Sequence, residues 1–187
     1  MRTTKALLAF SAAAALSGCA SFVAPAYSPD YPTLDRLKAS ATEKVAVGTF
    51  QPRAADAPVN RITLRGAPLT PPAGSFTEYL EKALRADLTE LRLLDPGAET
   101  RIEGQLLKND IDISGFSTGE GVMEVRLTIS RRGQPVLDKV YSAKTRFESS
   151  FAGNVAIPRG QAEYPNLVRA LLQSVYADPA FVSALRK

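Results

Sequence analysis

The chain has 187 residues, with 23 basic and 19 acidic side chains, a single cysteine, and no histidine or tryptophan. Without histidine it lacks the commonest proton shuttle and transition-metal ligand at neutral pH, and a Ser-His-Asp arrangement cannot be built. The slight basic excess is scattered and includes Arg2 and Lys5 at the N-terminus, so there is no clustered basic face of the kind that binds nucleic acid.

Residues 1–18 predict a cleaved export signal. Arg2 and Lys5 supply a basic start, and Ala6 to Leu16 are apolar except for Ser11. Small residues then lead to the lone Cys19. The apolar run is about half of the roughly 20 residues that a bilayer-spanning helix needs. Cys19 has no second cysteine to bridge to within the chain.

Residues 19–43 read as a tether, because Pro25, Pro29 and Pro32 favour extended backbone over helix. Residues 44–187 form the predicted domain. "KVAVGTF" (44–50) is nearly all apolar or small, as in a strand covered on both faces. Residues 51–74 contain Pro52, Pro58, Pro68, Pro71 and Pro72 and read as a long loop, within which "RITLR" (61–65) predicts a short edge strand. A helix follows over 75–94: Ser75 and Glu78 form a capping box, and Phe76, Leu80, Ala83, Leu84, Leu88 and Leu91 make one apolar stripe.

Three strands are predicted next, over 100–114, 122–131 and 136–149, joined by "GFSTGEG" and "RRGQP" turns. In the first of them the apolar parity changes at Leu106-Leu107, which predicts a bulge. After a loop at 149–161, a helix is expected to begin at Pro165, with Leu167, Val168, Leu171, Leu172 and Val175 as its core face. Asp178-Pro179 caps a short last helix. The order is β-α-β-β-β-α plus that short helix. It implies an α+β fold, a single mixed sheet of about four strands with two main helices on one face.

Leu16-Ser17-Gly18-Cys19 resembles the bacterial lipobox, in which the cysteine becomes the acylated N-terminus of the mature chain. The resemblance implies lipidation at Cys19, with two or more acyl chains anchoring stably. Ala20 and Ser21 after the cysteine resemble outer-membrane sorting. Lipobox and element order together resemble small Gram-negative envelope lipoproteins: the YajG-like proteins, the auxiliary lipoproteins of lipid-transporting ABC systems, and the lipopolysaccharide-assembly lipoprotein. That resemblance implies a non-enzymatic binding or assembly factor on the outer membrane, facing the periplasm. Its partners would be the membrane, through the lipid anchor, an envelope protein, and a lipid or glycolipid. The alternative it implies is an auxiliary of envelope lipid transport that holds lipid in a helix–sheet cleft.

No spacing marks a catalytic, cofactor or metal site. Asp110 and Asp112 share a strand face but supply too few oxygens for a calcium loop. The glycines of 115–121 lack the lysine of a phosphate loop, and Arg131-Arg132 read as a solvated turn. The candidate partner-binding residues are Arg61, Ile62, Leu64 and Arg65 on the predicted edge, which a partner strand could extend, and Glu124 and Arg126 on the polar sheet face.

Overall fold

A computed structural model describes residues 22–40 and 43–186; Cys19 and the export signal lie outside the described residues. In chain order the elements are β1 (Phe22–Val23), α1 (Tyr31–Lys38), β2 (Val45–Gln51), β3 (Ile62–Leu64), β4 (Ala67–Thr70), α2 (Phe76–Glu90), β5 (Thr100–Asp112), β6 (Thr118–Arg131), β7 (Gln134–Glu148), α3 (Gly153–Tyr176) and α4 (Pro179–Ala184). The fold is α+β, as expected, but it has two sheets. A four-stranded mixed sheet runs β2-β5-β6-β7, with β2 parallel to β5 and the other pairs antiparallel. A small sheet runs β1-β4-β3.

The period-2 pattern of β5 to β7 places one face of the large sheet in the core. Ile102, Leu106, Ile111, Met123, Val125, Leu127, Ile129 and Tyr141 are buried there under α2 and α3. The expected bulge is present. Leu106 pairs with Val125 and Lys108 with Glu124, leaving Leu107 unpaired and exposed. The extra residue restores the inward parity of Ile111 and Ile113. Between β6 and β7, Arg132 and Gly133 turn with φ of 52° and 77°, the left-handed pair that matches strand twist.

β2 lies at a sheet edge rather than between strands. Its central look in the sequence has a physical basis, because other groups cover the edge. Val45 N–H donates to the Leu93 carbonyl (2.9 Å), and Val45 C=O accepts from Asp95 N–H (2.9 Å). From α2, Arg85 reaches the Val47 carbonyl (2.5 Å), and Glu81 accepts from Phe50 N–H (3.1 Å).

Two further expectations are corrected. The loop at 149–161 is mostly helix: α3 starts at Gly153 and holds both Pro158 and Pro165 internally. Each proline withdraws an N–H from the helical ladder, a loss of about 3 kcal/mol in a free helix. The buried face of Ala156, Tyr164, Leu167, Val168, Leu171, Leu172 and Val175 offsets it. Gly160 lets this helix come close to the strands, since a Cβ there would stand 2.8 Å from Ile113 and 3.2 Å from Leu64.

The extended tether is also corrected for residues 22–40. Pro32 sits in the first turn of α1, where its missing N–H costs nothing. Leu34 and Leu37 are buried, and β1 pairs with β4 in parallel, Phe22 against Leu69 and Val23 against Thr70. Residues 51–74 are ordered around Asn60. Its amide donates to the carbonyls of Pro52 (2.9 Å) and Ala54 (2.8 Å), and its Oδ1 accepts from Thr77 N–H and Oγ1 at the start of α2, both at 2.9 Å.

Candidate functional surfaces

The helices cover one face of the large sheet and leave the other open. Alternation puts Thr49 and Gln51 of β2, Glu103 and Gln105 of β5, Arg126 and Thr128 of β6 along a shallow polar groove of about 480 Å³. Arg126 forks onto Asp138 of β7, with both nitrogen–oxygen distances at 2.6 Å. That pairing holds the Asp138 carboxyl below the usual range. Farther along, Glu120 accepts from Lys144 (2.8 Å) and Arg146 (3.2 Å), which likewise lower its pKa. Glu124 lies on the same face, opposite Ser142. These exposed pairs set the charge pattern of the face and add little stability.

The other predicted partner residues are placed differently. Ile62 and Leu64 are buried in the core, at 2% and 0% exposure, so their side chains are not presented to a partner. β3 carries core residues because α3 and β5 pack against it, a contact that a five-residue alternation does not reveal. Arg65 takes a left-handed φ of 52° and donates to the carbonyls of Phe151, Ser150 (2.9 Å) and Ile113 (3.2 Å). It ties the β3–β4 turn to the chain entering α3. Arg61 is exposed on a loop, and Arg65 is exposed in the turn but engaged by those carbonyls. Arg131 is engaged as well: it donates to Glu43 (2.5 Å) and to the carbonyls of Ala184 (3.0 Å) and Arg186 (2.8 Å). Arg132 pairs with Glu99 (2.6 Å).

The most perturbed carboxylate was missed in the sequence. Asp87 lies on the core side of α2, beside Leu84 and Leu88, and is buried. Burial pushes its pKa up to about 6, against the opposing pull of hydrogen bonds from Tyr176 and Tyr27. Tyr176 Oη donates to it at 2.7 Å, and Tyr27 Oη at 3.0 and 2.9 Å. A readable signal existed, since an acidic residue falling within the apolar stripe of a helix demands partners. The arrangement is that of a structural clasp, two phenols on one carboxylate.

Beside the clasp, Ala26, Tyr27, Pro72, Ala73, Tyr79, Lys82, Ala83 and Ala86 line a mostly apolar groove of about 330 Å³. Asp112 folds back onto Ser114 N–H (2.7 Å), which lowers its pKa, and does not converge with Asp110 on a common point. Among the described residues no three of His, Cys, Asp or Glu cluster closely enough to hold a metal ion. Among them, too, no helix is long and apolar enough to cross a membrane.

No family model matches the sequence. No curated protein matches it either. Solved structures do. A Xanthomonas campestris protein of the DUF330 family has a similar fold, with a TM-score of 0.53 at 11% identity over 84% of this chain and 95% of that one. A candidate lipoprotein from Caulobacter crescentus follows at 0.47 and 11% identity, over 83% of this chain and 96% of that one. A hypothetical protein from Chlamydia trachomatis follows at 0.46 and 11% identity, over 77% of this chain and 99% of that one. At such identity the first likeness establishes the fold alone.

Proposed function

We propose that this chain is a lipid-anchored envelope lipoprotein, acylated at Cys19 and held at the outer membrane facing the periplasm. In this reading it is non-enzymatic, and it binds an envelope protein partner through the open sheet face that carries Glu124 and Arg126. The observation that carries the reading is the leader itself: a basic start, a short apolar run, and Leu-Ser-Gly-Cys at residues 16–19. The lack of a spanning helix among the described residues accords with attachment by acyl chains. The finer likeness to YajG-like, ABC-auxiliary or lipopolysaccharide-assembly lipoproteins rests on element order and the lipobox.

The lipid-handling alternative asks for a cleft between helices and sheet. Phe76, Leu80, Leu84, Met123, Tyr164 and Leu167 are fully buried in that layer, and the polar groove lies on the opposite face of the sheet. The surface-binding reading is therefore preferred.

Two measurements test it. Cys19→Ser should move the chain from the membrane fraction to the soluble fraction; retention in the membrane at wild-type level rejects the lipid anchor. Arg126→Glu together with Asp138→Lys should keep the fold by circular dichroism, because that pair is exposed. Envelope crosslinks to the chain should fall at least about fivefold. Crosslinks at full strength reject this face as the interface.

A further inference from the structure

The loops at one end of the molecule expose aromatic rings without covering them. Phe116, between β5 and β6, is 79% exposed, and Phe151, between β7 and α3, is 70% exposed. Their rings stack at 5.7 Å with an interplanar angle of 30°. Arg65 places its guanidinium 5.8 Å from the Phe151 ring centroid. Val155, in the first turn of α3, adds to the exposed apolar surface. The rings are held in place: Ser149 N–H donates to the Ser117 carbonyl (2.8 Å), joining the two loops, and Arg65 bonds the carbonyls around Phe151. Solvent gains nothing from a rigid, exposed aromatic pair beside a cation, whereas ring and cation together suit the headgroup boundary of a bilayer.

Strand direction says which surface this end meets. β1 runs parallel to β4, and β4 begins just after the Arg65-Gly66 turn. The N-terminal end of β1, at Phe22, therefore faces the end of the molecule that carries Arg65, Phe151 and Phe116. Gln161 of α3 fixes this direction by donating to the Val23 carbonyl at 2.6 Å. Only Ala20 and Ser21 separate Phe22 from Cys19, and three residue steps reach at most about 11 Å.

We infer that Phe116 and Phe151, with Arg65 beside them, form a docking surface for the phospholipid membrane into which Cys19 is anchored. The inference rests on the lipid-anchor reading. The acyl chains hold Phe22 within about 11 Å of the anchored Cys19, and the two rings insert at the interface and fix the domain's orientation.

The chain has no tryptophan, so Phe116→Trp introduces a lone indole on an exposed residue. The mature full chain carrying it is reconstituted into vesicles of phosphatidylethanolamine and phosphatidylglycerol that contain acyl-brominated lipid. The reference is Val136→Trp, exposed near the start of β7 and on the order of 40 Å from its far end. Quenching of the indole from Phe116→Trp should exceed that from Val136→Trp at least about threefold. Equal quenching on an acylated chain overturns the docking surface and leaves the anchor standing, which is also what a protein partner on these rings would give. The mass of the N-terminal peptide reads acylation separately. An unacylated Cys19 overturns the anchor reading and, with it, the docking surface.

Discussion

Tyr27 and Asp87, 60 residues apart, are joined by a hydroxyl that reaches both carboxylate oxygens, at 3.0 and 2.9 Å. This contact fastens the N-terminal segment to the last turn of α2, and Tyr176 of α3 donates to the same carboxylate. Tyr27→Phe keeps the ring and removes the clasp. Stability should fall by about 1–2 kcal/mol, with hydrogen exchange accelerating first in residues 22–40. Uniform acceleration across the domain would show that the segment does not open on its own.

Asp87 also sets a pH dependence. Its folded pKa, raised to about 6 by burial, stands above the ordinary value of 3.8, so between those values the folded chain binds the extra proton. Its contribution is full below pH 3.8 and declines as pH rises through 6, by at most about 3 kcal/mol. Asp178 works in the opposite sense: hydrogen bonds from Tyr141 and Lys139 hold it at about 2, and its contribution is lost only as pH falls below 3.8. Urea midpoints should therefore be highest near pH 4. Asp87→Asn should remove most of the decline between pH 4 and 7, and a decline that persists unchanged would locate its source elsewhere.

Gly160 tests the approach of α3 to the strands. A valine there would press on Ile113, Leu64 and Ile111, all within 3.3 Å of the new Cβ. Gly160→Val should destabilise by about 1–3 kcal/mol through overpacking, although it raises helix propensity over glycine. A gain in stability would mean that the helix can shift away freely.

Arg131 tests the closure of the C-terminus. Arg131→Met keeps the aliphatic stem and removes the donors to Glu43, Ala184 and Arg186. A loss of about 2 kcal/mol is expected, with protease cutting near residues 184–187 enhanced. Unchanged cutting would show that the packing of Phe181 and Leu185 alone holds α4.

Periodic features were readable from the sequence: the capping box at Ser75, the stripe of α2, the three long strands, the bulge at Leu107 and the Asp178 cap. Each depends on residues near one another in the chain. What was hidden depends on distant partners. The prolines of 22–40 argue locally for extension, yet Leu34 and Leu37 find a core to bury in. Pro158 and Pro165 argue against a helix that tertiary burial sustains. Among the candidate site residues, Glu124 and Arg126 came out on the open face by simple alternation. Ile62 and Leu64 followed the same alternation, but no local pattern says that α3 and β5 close over them. Asn60 and the Asp87 clasp join segments that sequence separation conceals.

The parallel pairing of β1 with β4 has a mechanical consequence. A pull on the chain upstream of Phe22, directed along the strand, loads the β1–β4 hydrogen bonds in shear, so they share the load rather than peel one after another. The grip of Gln161 on the Val23 carbonyl and of Tyr27 on Asp87 lies in series behind them. Force entering at Phe22 is thus delivered to α2 and α3 through a short, stiff linkage. From Phe22 onward, residues 22–40 therefore move as one body with the helices they are fastened to, not as a slack leash.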